Sequence, residues 1–124
     1  MTFCETGKAG LYLHVPFCRR KCPYCDFYSV PAQAETLEAY TEAVCRNLKQ
    51  YADAVPMDTV YFGGGTPSLL SPQQIGSILE TAAACFPLAA DAEVTLEANP
   101  ATVTRQQLSQ LRAAGVNRIS FGVQ

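Results

Sequence analysis

Met57-Asp58-Thr59-Val60-Tyr61-Phe62-Gly63-Gly64-Gly65-Thr66-Pro67, with Ser71-Pro72-Gln73-Gln74 close behind, spells one β–turn–α unit. Met57–Phe62 reads as a strand whose alternate set is Thr59 and Tyr61. A run of three glycines ends it. Ser71 then fits an N-cap, Pro72 the first helical position and Gln74 the reciprocal partner of a capping box. Ile75, Ile78, Leu79, Ala82, Cys85 and Phe86 fall on one face of the helix that follows, and Pro87 stops it.

The same unit repeats on either side. Leu11–Val15 reads as a first strand, residues 16–32 as a loop and residues 34–54 as a helix. Leu37, Tyr40, Thr41, Val44, Cys45, Leu48 and Tyr51 share that helix's inner face. Glu93–Ala98 reads as a third strand. Thr104 and Gln107 cap a third helix, with Leu108 and Leu111 inward and Gly115 as its stop. Arg118–Val123 reads as a fourth strand. Residues 1–10 carry no pattern and are expected to be a flexible leader, with the domain running over 11–124. Strands alternating with helices through short links argue for an α/β fold with a parallel sheet.

A parallel strand covered on both faces is apolar throughout, and these strands are not. Leu11, Leu13 and Val15 alternate with Tyr12 and His14. The more polar sets elsewhere are Glu93, Thr95 and Glu97, and then Ser120, Gly122 and Gln124. A curved sheet with helices outside and a working lumen inside fits this alternation. A short sheet with one wet face fits it too.

Composition narrows the function. The chain has 124 residues, 48% hydrophobic, which is too apolar for a disordered segment. The formal net charge of -2 leaves no electrostatic footprint for nucleic acid. No apolar run is long enough to span a bilayer, and Met1–Gly10 lacks a signal-peptide pattern, so a cytoplasmic location is expected. Six cysteines are many for such a location, and Cys18, Cys22 and Cys25 fall within eight residues. In a reducing compartment a cluster of this kind points to metal or catalysis rather than disulfides.

The cluster has the spacing C-x3-C-x2-C, directly after the first strand. Arg19, Arg20 and Lys21 beside it favour thiolates. Structural zinc takes four protein ligands, and His14 is the candidate fourth. Three cysteines on an iron–sulfur cubane would leave one iron open to a small molecule. Both readings stand on spacing alone. Cys45 and Cys85 lie on apolar helix stripes and read as core. Cys4 carries no pattern.

Four blocks in order carry a resemblance. They are Tyr12-Leu13-His14-Val15-Pro16-Phe17-Cys18 with Cys22-Pro23-Tyr24-Cys25-Asp26-Phe27; Tyr61-Phe62-Gly63-Gly64-Gly65-Thr66-Pro67-Ser68; Leu96-Glu97-Ala98-Asn99-Pro100; and Arg118-Ile119-Ser120-Phe121-Gly122-Val123-Gln124. Together they resemble the radical SAM enzymes of the oxygen-independent coproporphyrinogen III oxidase group, and most of all its haem chaperone branch, the HemW family.

The resemblance implies the N-terminal part of a partial (β/α)6 barrel, holding three complete units and the fourth strand. The rest of the barrel and any C-terminal domain would lie beyond residue 124, and so would the haem-binding residues. It implies that Cys18, Cys22 and Cys25 hold a [4Fe–4S] cluster whose fourth iron binds S-adenosylmethionine. Reductive cleavage of that cofactor would give methionine and a 5′-deoxyadenosyl radical. Tyr12, Tyr24, Gly64, Gly65, Thr66, Glu97 and Gln124 would contact S-adenosylmethionine. No further catalytic residue is implied. The oxidase branch carries an extra cysteine two residues after the last cluster cysteine, where this chain has Phe27. That departure favours a chaperone that binds haem and delivers it to haem-dependent proteins. The alternative is a decarboxylase of coproporphyrinogen III or another radical SAM reaction. The implied partners are S-adenosylmethionine, haem or a porphyrin, haem-accepting proteins and a reductant for the cluster.

Overall fold

A computed structural model describes residues 9–18, 30–31 and 34–122. Its main sheet holds four parallel strands, β1 (Ala9–Val15), β4 (Met57–Gly64), β5 (Leu88–Ala98) and β6 (Arg118–Phe121), side by side in that order. Between them run α1 (Ala34–Gln50), α2 (Pro72–Cys85) and α3 (Arg105–Ala114). Each strand pairs with the next in sequence around the sheet, so the chain winds in one direction. That is the wall of a barrel rather than a doubly wound sheet, whose strand order reverses partway. α1 packs on α2 and α2 on α3.

The core lies between the sheet and this row of helices. Leu11, Leu13 and Val15 of β1, Val60 and Phe62 of β4, and Val94, Leu96 and Ala98 of β5 are buried there. They meet Leu48 of α1, Ile75, Ile78, Leu79 and Ala82 of α2, and Leu111 of α3. The opposite face carries Tyr12, His14, Thr59, Tyr61, Glu93 and Glu97, none of them buried. The one-greasy-face alternation therefore holds, with one exception. Thr95 lies on the polar side yet is 1% exposed.

Local chemistry explains the helix ends. In α2, Ser71 Oγ accepts from Gln74 N at 3.1 Å and Gln74 Oε1 accepts from Ser71 N at 2.8 Å. Thr104 and Gln107 repeat the exchange at α3, at 3.1 and 2.9 Å. Gly115 ends α3 at φ 123, the left-handed side that suits glycine. Asn117 then steers the chain into β6. Its side chain accepts from Val94 N and donates to Ala92 O, both at 2.8 Å, as a strand backbone would.

Several boundaries differ from the sequence reading. α1 stops at Gln50, not at residue 54, so Tyr51 lies beyond it and is 59% exposed instead of facing inward. β1 begins at Ala9 rather than Leu11, inside the expected leader, through a register shift beside Met57 and Thr59. β5 begins at Leu88, five residues early, because Leu88 pairs with Met57 across an irregular register. β6 ends at Phe121. The expected loop over 16–32 is not wholly irregular: β2 (Phe17–Cys18) and β3 (Val30–Pro31) pair in parallel. Cys45 and Cys85 are half-buried against the core rather than inside it.

Candidate functional site

The C-terminal ends of β4, β5 and β6 open onto a cleft of about 250 Å³. Gly64, Gly65 and Thr66 form one wall. Glu97, Ala98 and Asn99 form the second, and Ser120 and Gly122 the third. In singly wound βα folds this end of the sheet is where ligands bind, because the strand-to-helix loops converge there.

The glycine turn has its shape for a steric reason. Gly64 sits at φ 117, and a Cβ there would lie 2.7 Å from His14 Nδ1 and 2.9 Å from the Val15 carbonyl oxygen. No side chain fits that position. The turn is also tied to the strand that leads into the cysteine loop. Gly65 N donates to Val15 O at 2.9 Å, and Thr66 N donates to Phe17 O at 2.7 Å. α1 holds the same place from the far side: Tyr40 Oη donates to the His14 carbonyl, and the Tyr40 and Phe17 rings meet edge to face at 5.3 Å. Burial, with a smaller push from Tyr12, raises the Tyr40 phenol to about 12.

Glu97 stands on β5 at the cleft wall. Its Oε1 accepts from Gly64 N at 3.1 Å, and its Oε2 accepts from Tyr61 Oη at 2.6 Å. Tyr61 stacks on Tyr12 with ring centroids 5.7 Å apart and planes 12° apart, and Tyr12 stacks on His14 at 6.4 Å. The hydrogen bond to Glu97, then burial and the carboxylate's charge, raise the Tyr61 phenol, while a hydrogen bond with Ser120 pulls against them. Tyr12 is raised by burial and then by Glu97.

Of the residues singled out in the sequence, Gly64, Gly65, Thr66 and Glu97 meet at the cleft. Tyr12 lies beside them on the same face, 40% exposed and one ring away through Tyr61. Cys22, Tyr24, Cys25, Phe27 and Gln124 lie outside the described residues, and of Cys18 only the backbone is described. Among the described residues no group of three or more potential metal ligands gathers. Tyr61 and Ser120 were legible only as members of polar alternation sets. The bond from Tyr61 to Glu97, and the place of Ser120 opposite Glu97 and beside Tyr61, depend on strand register, which periodicity does not give.

The sequence profile of the Radical SAM superfamily matches residues 12–124. The chain belongs to that superfamily. Over 119 residues it is 46% identical to the heme chaperone HemW of Escherichia coli K12, covering 93% of this chain and 32% of that protein. It is 38% identical to the anaerobilin synthase of Escherichia coli O157:H7, covering 94% of this chain and 27% of the other. A solved structure of coproporphyrinogen III oxidase (HemN) from Escherichia coli, a radical SAM enzyme, superposes with a TM-score of 0.84 at 32% identity. That match covers 93% of this chain and 27% of the oxidase. Within the superfamily the chain thus falls in the HemN-like group, near HemW, and its four strands correspond to the N-terminal part of that barrel. It spans 27–32% of the length of these relatives. No helix among the described residues is long and apolar enough to cross a membrane.

Proposed function

We propose that this HemW-type radical SAM chain holds a [4Fe–4S] cluster and S-adenosylmethionine for a cytoplasmic haem chaperone, which binds haem and passes it to haem-dependent proteins. Cys18, Cys22 and Cys25 would ligate the cluster. Tyr12, Tyr24, Gly64, Gly65, Thr66, Glu97 and Gln124 would hold the S-adenosylmethionine. Once reduced by a donor, the bound cluster supplies the electron that breaks a C–S bond of that cofactor.

One observation carries the reading. The glycine turn, the acidic wall and the base of the cysteine loop are joined by hydrogen bonds into one rim at the C-terminal ends of the strands. The residues fit the group. The turn has no side chain to obstruct close approach at Gly64, and Glu97 offers a carboxylate to hydroxyl or ammonium donors. The turn backbone holds that carboxylate toward the cleft.

The chaperone reading, as opposed to decarboxylation, is supported by the 46% identity to a protein named as a heme chaperone and by Phe27. The full protein, reconstituted anaerobically, is expected to carry about four iron and four sulfide per chain. The Cys18→Ala/Cys22→Ala/Cys25→Ala variant should carry none, and Cys45→Ala should carry the full amount. Zinc without sulfide would overturn the cluster. Haem retention on gel filtration, with no anaerobic conversion of coproporphyrinogen III, is expected of a chaperone. Conversion without haem binding would replace that reading with the oxidase.

A further inference from the structure

The Glu97 carboxylate is gripped from two directions, and one of the grips is a side chain. Gly64 N and Tyr61 Oη both come from β4, three residues apart, and each takes one oxygen. Tyr61 pairs in register with Thr95, so Glu97 lies one pleat further along β5 on the same face. A side chain as long as tyrosine, leaning along its strand, spans that diagonal. The ring cannot swing freely. Tyr12 is stacked on it, and a Cβ at Gly63 would lie 2.9 Å from Tyr61 Cε1.

Glu97 lines the cleft and Tyr61 does not. The Tyr61 hydroxyl lies behind the cleft wall, bonded to Glu97 and within reach of Ser120, both of which line the cleft. Its bond, at 2.6 Å and to a carboxylate, is of the short charge-assisted kind. Oε1 accepts from Gly64 N and Oε2 from Tyr61 Oη, and an ionised carboxylate has about four lone-pair sites. The remaining capacity is what a ligand's hydroxyl or ammonium group would meet.

We propose that Tyr61 is a positioning residue: it fixes the Glu97 carboxylate so that its remaining lone pairs face the cleft. The assignment rests on the reading of that cleft as an S-adenosylmethionine site. Without the hydroxyl, Glu97 keeps the Gly64 bond and turns about it. The ligand must then re-order the carboxylate on binding.

The test is equilibrium dialysis of S-adenosylhomocysteine, an unreactive probe, against the anaerobically reconstituted full protein and three variants: Tyr61→Phe, Glu97→Ala and the double variant. Tyr61→Phe keeps the ring and its stack on Tyr12. Its Kd is expected to rise about five- to twentyfold, with an unchanged iron content and a thermal midpoint lowered by no more than a few degrees, so that the chain stays folded at the assay temperature. In the Glu97→Ala background the same change should have no further effect, because a positioning residue acts only through what it positions. A Tyr61→Phe Kd equal to the parent's would overturn the assignment. So would an equal loss in both backgrounds, which would mean that Tyr61 acts on the ligand or the fold independently of Glu97. Failure of the parent protein itself to bind the probe would overturn the site reading, and this assignment with it. Glu97→Ala binding as tightly as the parent would remove Glu97 from the site, and Tyr61 with it.

Discussion

Tyr40 gives its hydroxyl proton to a backbone carbonyl from within a half-buried pocket, and that position has a pH signature. The folded phenol titrates near 12 against a usual 10.0. A raised folded value means that the native state keeps its proton after the unfolded chain has lost it. The stabilisation is complete below pH 10 and disappears as pH climbs from 10 toward 12. Urea midpoints at pH 8 and pH 11.5 should therefore converge more closely in Tyr40→Phe than in the parent. At this scale the sequence was partly legible. Glu97 and the glycines could be picked out by their place at strand ends. Tyr61 could be assigned a face but not a partner, because the partner is two residues along a neighbouring strand.

Among the elements, the starts of α2 and α3 were readable to the residue because they are chemical, whereas α2 ends at Cys85 and leaves Phe86, read as part of its inner face, in extended backbone. A hydroxyl at the N-cap and a glutamine three residues on satisfy amides that no other group reaches. Ser71→Ala and Thr104→Ala should each cost about 1 kcal/mol in urea unfolding, and the double variant about the sum, since the two caps sit on different helices. The end of α1 was harder to read. Tyr51 continues the apolar spacing, yet the helix has already stopped at Gln50, so periodicity outlasted the hydrogen bonding. The early part of β5 was invisible for a related reason. Leu88-Ala89-Ala90-Asp91 has no alternation, and only its pairing at Met57 makes it strand. Two-residue strands such as β2 and β3 have no period to detect.

Over the whole molecule, one face of the sheet is structural and the other chemical. Phe62 lies at the centre of the structural face, fully buried between β1, β5 and the helices. Phe62→Ala should cost about 3–5 kcal/mol, a large share of a domain's usual 5–15, and guanidinium unfolding should show the midpoint fall accordingly. The alternation of the strands announced this division. The sequential strand order that turns it into a barrel wall came from the pairings.

The backbone bonds from Gly65 to Val15 and from Thr66 to Phe17 lie just past the last paired residues of β1 and β4. They act as two extra rungs that bind a turn of one unit to the exit of another. Segments sharing such rungs open and close as a single cooperative unit. The approach to the cysteine loop and the glycine turn thus have one common opening free energy. Whatever steadies one, including an occupant of either half, slows amide exchange at Gly65 and Thr66 and steadies the other without touching it.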